Sequence, residues 1–335
     1  MATIKEIADM AGVSIATVSY VLNNTGKISA ETRKRVIETA QTVGYVTNIN
    51  NHLMHTRQYG NIGVVFDTFK GGYYYTLLEG LGEQISFRKH TLHLMLGNHN
   101  DKKIIENLLS ANIDAVIIHS RRIEDSAIHK LKSRGIPMVF LDREIDDDMI
   151  SSVLTDNVGG ITSTMEHLIS TGHRRIAFMQ GTTGYDGRKR FEAYQNVMKQ
   201  HSLPIEESLI MRANFDMHHA EYEFSAKFPL MKYIPDAVCC AGDCMAHGVI
   251  KVLESMGFDV PNDISVTGFD DAIETQSFHI PLTTVRNPIR RIANIAVSET
   301  FRLMQSGGRG KTIFVDTEFV ERFSCSNKKT RGAIV

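Results

Sequence analysis

The sequence predicts an α/β protein, with a three-helix helix-turn-helix headpiece at the N-terminus and two parallel α/β lobes after it. Three observations predict this. Apolar residues between positions 4 and 22 recur at helical spacing and are interrupted once, by Gly12. From Asn61 onward, short apolar runs alternate with helical stretches, the signature of parallel sheets covered on both faces. The 335-residue chain carries more of that alternation than a single core usually holds, so two lobes with a cleft between them are expected.

In the headpiece, Ile4, Ile7, Ala8 and Ala11 stand at i, i+3, i+4 and i+7, one apolar stripe of a short helix. Gly12 supplies the permissive backbone of a tight turn. Ser14 can cap a second helix, on which Val18, Val21 and Leu22 repeat the stripe. Ile15, Ala16, Thr17, Ser19 and Tyr20 are left facing outward, groups of the kind that enter a DNA major groove. An ordinary helical hairpin would carry the same spacing. Residues 29–44 favour DNA: Ser29 caps a third helix bearing Val36, Ile37, Ala40 and Val43, closed by Gly44, with Arg33, Lys34 and Arg35 on its first turns. Within the first sixty residues Lys5, Lys27, Arg33, Lys34, Arg35 and Arg57 oppose Glu6, Asp9, Glu31 and Glu38, a positive excess of two. That suffices for phosphate contacts in a dimer but not for strong nonspecific binding.

The net charge of −1 means that any nucleic-acid affinity is localised. No apolar run approaches the roughly 20 residues that span a bilayer, and Lys5, Glu6 and Asp9 interrupt the N-terminus as a signal peptide would not allow. Cys239, Cys240, Cys244 and Cys325 lack zinc-ligand spacing and read as reduced core residues. A cytoplasmic protein is expected.

Residues 46–58 are polar, with Asn48 able to cap a short helix bearing Leu53 and Met54. Beyond them, Ile62-Gly63-Val64-Val65-Phe66 is a buried-strand run, succeeded by a helical stretch over 74–89. Further strands are expected at 92–96, 115–118, 138–141, 175–179, 237–240 and 264–269. Open α/β sheets bind ligands at the carboxyl ends of their strands. Those ends carry Asp67, Tyr73, Tyr74 and Tyr75, then Ser120 and Arg121, Asp142 and Arg143, and Asp270. Acids accept from hydroxyls, Arg donates in pairs and rings stack on apolar faces, so a polyhydroxylated or similarly polar ligand suits them. Asp142 could instead pair with Arg143, the tyrosine run could be surface, and Asp156 and Asp271 read as helix caps.

The wording Ile7-Ala8-x-x-Ala11-Gly12-Val13-Ser14-x-x-Thr17-Val18-Ser19, then Leu22-Asn23, Thr32-Arg33 and Val43-Gly44-Tyr45, resembles the lactose/galactose-repressor (LacI/GalR) family. So do Thr155-Asp156-Asn157-x-Gly159, His167-Leu168-Ile169-x-x-Gly172-His173-Arg174-Arg175-Ile176-Ala177 and Val260-Pro261-Asn262-Asp263-Ile264-Ser265-Val266-x-Gly268-Phe269-Asp270-Asp271. Pro281-Leu282-Thr283-Thr284-Val285 and Arg322-x-Ser324 extend the likeness to nearly the whole chain.

The resemblance implies a bilobal, periplasmic-binding-protein-like sensor. It places the headpiece at 1–46, a hinge at 47–59 and the sensor at 60–326, with a loose tail at 327–335. Lobe 1 would be about 60–156 and 287–314, and lobe 2 about 157–286 and 315–326. It implies that Ile15, Ala16 and Tyr20 read bases, that Thr17, Ser19, Asn23, Ser29 and Thr32 hold phosphates, and that Met54 wedges the minor groove. With the capping Ser14 these form the candidate DNA-binding set. Tyr20 departs from the family's usual Arg, and Thr47, Asn51, His52 and Met54 depart from its hinge pattern. For the effector, the resemblance adds Arg190 and the stacking Phe215 to Tyr73, Tyr74, Ser120, Asp142 and Asp270. Gly242 and Ala193 depart from sugar-binding members.

The implied protein is a homodimeric repressor of an inverted-repeat operator, controlled by a small polar effector such as a sugar, with no membrane partner. A phosphate-cradling Gly-x-x-x-x-Gly-Lys motif and a Gly-x-Ser-x-Gly elbow are both missing, and His218, His219 and His247 have no metal-ligand spacing. No enzyme, cofactor or metal is therefore expected. The rivals are a solute-binding receptor of a transporter, which would need an export signal and no headpiece, and a regulator controlled by a protein partner.

Overall fold

The computed structural model describes residues 3–22, 28–43, 60–69, 72–97, 101–272, 278–306 and 309–331. Three helices open the chain: α1 (Ile4–Ala11), α2 (Ile15–Leu22) and α3 (Ala30–Thr42). Each start is fixed by its own residues. Thr3 and Glu6 close a reciprocal capping box on α1, the Ser14 hydroxyl accepts the Thr17 N–H at 3.0 Å, and the Ser29 hydroxyl accepts that of Thr32 at 3.2 Å. Gly12, at φ 64°, ends α1 in the left-handed conformation that glycine adopts without penalty. Ile7, Ala8, Ala11, Val18, Val21, Val36 and Ala40 make a small core of their own. The expected Gly44 cap and the hinge at 47–59 lie outside the described residues.

The strands of the rest of the chain begin with β1 (Asn61–Phe66), β2 (Thr91–Leu96), β3 (Ala115–His119), β4 (Met138–Leu141), β5 (Ile150–Thr155) and β6 (Ile176–Gln180). Then come β7 (Ile210–Arg212), β8 (Ala237–Cys240), β9 (Ser265–Thr267), β10 (Thr284–Arg286), β11 (Thr312–Val315) and β12 (Glu318–Val320). They form a six-stranded sheet ordered β11-β5-β4-β3-β1-β2 and a four-stranded sheet ordered β7-β6-β8-β9, every pair parallel. β10 and β12 pair antiparallel between them.

Each sheet has its own core. On the larger, Ile62, Val64 and Phe66 face the helices Gly72–Phe87 and Ile289–Ser306, while Val65 packs on the opposite face with Leu108 and Val116. Gly63 lies on that second face, where a Cβ would come within 2.8 Å of Leu108. The smaller sheet is covered by helices that include Asn157–Ser170, Tyr185–Gln200 and Asp243–Ser255. The chain passes from one sheet to the other after β5, returns after β10, and passes again after β11.

Several features depart from the sequence reading, which does not name β7, β10, β11 or β12 as strands. β5 does not read as a strand because Ser151 and Ser152 break its apolar run. Both are buried and satisfied: Ser151 donates to Glu299 at 2.6 Å, and Ser152 accepts the Ile145 N–H at 3.1 Å. The tail is not loose throughout. Lys328–Arg331 forms a helical turn anchored by the Lys328 N–H on the Thr171 carbonyl and by its ammonium on the carbonyls of Asn262 and Asp263. Of the cysteines, Cys239 and Cys240 are core, whereas Cys244 is exposed and its thiol donates to the Phe215 carbonyl. Among the described residues no helix is long and apolar enough to cross a membrane.

Candidate functional site

Two places gather the residues singled out by the sequence. The first is the outer face of α2. Ile15 is 53% exposed and Tyr20 49%, with Ala16 between them in sequence, also exposed, and Val18 and Val21 turned into the core. Ser14 bonds the Thr17 hydroxyl at 2.8 Å as well as capping the helix, and Ser29 treats Thr32 the same way at 2.9 Å. The two serines therefore hold helix starts, and their threonines stand partly exposed beside them. Ser19 is half-buried on the same helix. Asn23 and Met54 lie outside the described residues.

The second place is the cleft where the strand ends of the two sheets meet. From the larger sheet come Asp67, Tyr73, Tyr74, His119, Ser120 and Asp142. The Asp142 carboxylate accepts from the Tyr73 hydroxyl at 2.8 Å and contacts His119 Nε2 at 3.1 Å. Burial works to raise this carboxyl, but the hydrogen bond and charge of His119 outweigh it and hold the group below the ordinary carboxylate range. Burial works to lower His119, and the bond and charge of Asp142 outweigh that and raise it. Tyr74 packs edge-on against His119 and Phe66, whereas Tyr75 is 59% exposed, so the tyrosine run divides between cleft and surface. Ser120 donates to Asp67 at 2.5 Å. The alternative pairing of Asp142 with Arg143 does not form: Arg143 bonds the Ile123 carbonyl and Asp125.

From the smaller sheet come Asp186, Arg190, Phe215 and Asp270. Arg190 is 3% exposed, donating from Nε to Asn157 at 2.6 Å and from Nη1 to the Ala241 carbonyl at 2.6 Å. Its Nη2 lies 3.7 Å from Asp270, and its guanidinium carbon sits 3.6 Å over the Phe269 ring and 5.5 Å from that of Phe215. Asp186, one turn before Arg190, accepts from Asn157 at 2.8 Å. Burial, with repulsion from Asp142, pushes Asp186 up to about 7. Burial also pushes Asp270 up to about 7, against the pull of Arg190. Thr155 and Asn287 connect the halves: Thr155 lies 3.5 Å from Asp142 and 3.4 Å from Asn287, and Asn287 lies 3.3 Å from Asp270.

Backbone strain collects here. Asp142 (φ 52°), Phe215 (φ 60°) and Asp270 (φ 120°) all adopt positive φ, which is uncommon for side chains with a Cβ and clusters at functional sites. Gly242, which the resemblance marks as a departure, has a local explanation. A Cβ there would stand 3.1 Å from the Phe215 ring, and one on Gly181 would overlap it at 2.1 Å, so both glycines make the shelf the ring lies on. Ala193 is buried in the core of the smaller lobe. Asp156 caps its helix through the Gly159 N–H at 2.8 Å, as expected. Asp271 accepts from Arg286 at 2.9 Å and from Arg322 at 2.6 Å, clamping the strands that cross between the lobes, and residues 273–277, which it was expected to cap, lie outside the described residues.

His119, Asn157, Asp186, Thr155 and Asn287 were missed by the sequence reading. His119 closes β3, where a strand-end search finds it, and Asp186 lies four residues before Arg190 on one helix face. His247 is buried and stacked on Phe278, and His218 is exposed. Among the described residues no group of His, Cys, Asp and Glu could hold a metal ion.

Comparison with known proteins gives two domain matches. Residues 3–48 match the bacterial regulatory proteins of the lacI family, and residues 165–325 match the periplasmic binding protein-like domain. The chain is 30% identical over 331 residues to the probable HTH-type transcriptional repressor ExuR of Bacillus subtilis, covering 97% of this chain and 98% of that one. Among solved structures, a CelR–cellobiose complex superposes with a TM-score of 0.74 at 24% identity over 97% of this chain and 100% of that one. The lac repressor dimer bound to operator and the anti-inducer ONPF gives 0.70 at 22% identity, over 96% and 98%. At such identities the solved structures establish the fold.

Proposed function

This chain belongs to the lacI family of bacterial regulatory proteins and is a DNA-binding transcriptional regulator, and from that premise we propose how its parts divide the work. Residues 1–46 form the DNA-reading headpiece and 47–59 the hinge. Lobe 1 (about 60–156 and 287–314) and lobe 2 (about 157–286 and 315–326) enclose the effector. The separate sheets and cores support that division. Ile15, Ala16 and Tyr20 read base edges, while Thr17, Ser19, Asn23 and Thr32 fix the phosphate register beside the capping Ser14 and Ser29, and Met54 wedges the operator centre. Tyr20 offers one hydroxyl and an apolar ring, so its preferred base step differs from the guanine that an Arg would take in bidentate fashion. The protein acts in the cytoplasm as a homodimer on an inverted repeat, its two-fold axis matching that of the operator.

The effector is a small polyhydroxylated molecule. Its hydroxyls donate to Asp142 and Asp270, Arg190 donates to its ring or hydroxyl oxygens, and Phe215 covers an apolar face. Binding changes the relative angle of the lobes and so the DNA affinity, by as much as the ligand's preference for one arrangement over the other. The observation that carries this reading is the convergence of Asp142, Phe215 and Asp270, all at positive φ, around a buried Arg190.

The experiment is operator binding by the full chain, with the operator taken by selection from random duplex DNA and titrated with sugar pools. An inverted repeat whose affinity shifts with a sugar supports the reading. Arg190→Ala should erase the shift while DNA binding without ligand remains. Operator binding that ignores every small molecule but changes with cell extract would point to a protein partner instead.

A further inference from the structure

The cleft opens at one side into a cavity of about 520 Å³ whose walls carry three guanidinium groups from three elements: Arg121 after β3, Arg143 after β4, and Arg188 on the helix Tyr185–Gln200 of the smaller lobe. They are not equivalent. Arg143 is held away by Asp125 and the Ile123 carbonyl. Among the described residues Arg188 has one acidic side chain within ion-pair distance, Glu192, at 3.8 Å on its own helix. Arg121 has no acidic side chain within ion-pair distance among the described residues; its backbone N–H alone is tied, to Asp67 at 2.9 Å. Its stem reaches across the seam to Gly184, where a Cβ would stand 2.5 Å from Arg121 Cδ, so that glycine is what lets the side chain lie over the other lobe.

The acidic side chains on the same cavity do not cancel these charges in place. Asp142 is already matched to Tyr73 and His119. Glu144 and Asp146 are exposed on the loop after β4, free to turn to water. Inside the cleft, by contrast, every group assigned to the effector suits hydroxyls, and the charge of the buried Arg190 guanidinium already faces Asp270, with Nε and Nη1 bonded to Asn157 and Ala241.

We propose that the mouth of the cleft is an anion seat, and that the effector is a polyhydroxylated acid or phosphate ester whose anionic group lies between Arg121 of one lobe and Arg188 of the other. This rests on the cleft being the effector site. An anion bridging guanidiniums from both lobes binds the closed arrangement better than the open one, which is what a ligand must do to shift the equilibrium.

The test uses the full chain and a matched panel: gluco, galacto and manno sugars, each as neutral hexose, uronate and hexose 6-phosphate, with affinities from calorimetry. The expected result is that one anionic form exceeds its neutral parent by at least about tenfold. Whether uronate or phosphate shows this separates the two sources of charge. Arg121→Gln and Arg188→Gln should each bring that ratio close to one. Equal binding of neutral and anionic forms, a preference that survives both substitutions, or no binding by any anionic sugar overturns the seat. Arg190→Ala separates this from the cleft itself. If it abolishes binding while Arg121→Gln keeps the preference, the cleft reading stands and the seat falls. If it leaves binding intact while Arg121→Gln removes the preference, anion binding at the mouth stands, but the cleft reading falls and with it the effector assigned to both.

Discussion

On α2, Ile15 and Tyr20 stand about half exposed on a helix whose start is capped by its own Ser14; in the cleft, Arg190 is 3% exposed and its partners come from residues 157, 241 and 270. The headpiece presents simple side chains on a frame built from contacts within forty residues. The cleft builds its frame from both lobes and bends the backbone to aim the groups, at Asp142, Phe215 and Asp270. A surface that must meet a partner as large as DNA can be locally encoded and left open. A site that must enclose a small molecule needs polar groups out of water, and those are stable only when each holds another.

Damage to one frame should leave the other untouched, and that independence can be measured. Ile7 is fully buried in a core that holds seven buried residues among those described. Ile7→Ala should cost about 2–5 kcal/mol, enough to unfold so small a unit. Operator binding should be lost, while effector affinity by calorimetry stays within about twofold, the additivity expected of distant sites. A parallel loss of effector binding would mean that the two regions do not fold independently.

The reciprocal substitution is Arg190→Met, which removes the buried cation but keeps its length. It leaves the Asp270 carboxyl without its cation and the Asn157 side-chain oxygen without its donor, and should cost about 3 kcal/mol of stability in lobe 2, seen as an earlier unfolding transition. Effector affinity should fall beyond detection. Unchanged melting would mean that Arg190 holds ligand but not the fold.

The two regions also differ in how far the sequence revealed them. The headpiece was legible because its signals are local: the capping Ser14 and Ser29 each act on a threonine only three residues on, Thr17 and Thr32. Strand ends named Tyr73, Ser120, Asp142 and Asp270, since the parallel-sheet rule needs only local pattern. Thr155 and Asn287 stayed hidden, because their work is to join Asp142 to Asp270 across segments 132 and 17 residues apart in sequence, and Asn157 because it joins Asp186 and Arg190 from another helix. β5 stayed hidden for a related reason. Ser151 is buried only because Glu299, 148 residues away, accepts its hydroxyl.

A smaller effect separates capping from reading. Ser14→Ala removes the hydroxyl that accepts the Thr17 N–H and should cost about 1 kcal/mol of headpiece stability. Tyr20→Ala should leave that stability nearly unchanged and alter which base is preferred in a selected half-site, a discrimination of roughly 1–3 kcal/mol for a good contact. Loss of both stability and preference in Ser14→Ala would make the capping serine a base-reading group as well.

The most gradual effect expected is a slope with pH, and it belongs to the cleft. Burial and the nearness of Asp142 push Asp186 up to about 7, far above a carboxyl in an unfolded chain near 4. The folded form therefore holds that proton more tightly than the unfolded form. Its contribution to stability is complete below pH 4 and is lost as pH rises through about 7. Asp270, also about 7, adds a slope of the same sign. Melting of the sensor lobes should thus fall between about pH 4 and pH 7 and level off above, and Asp186→Asn, which cannot ionise, should flatten the fall without abolishing it. Ligand should oppose the trend if its hydroxyls donate to charged carboxylates, since such a ligand favours the deprotonated form. Effector affinity would then rise across the interval in which the unliganded protein loses stability. An affinity that falls with pH instead would assign Asp186 and Asp270 the role of donors, holding their protons against oxygens of the effector.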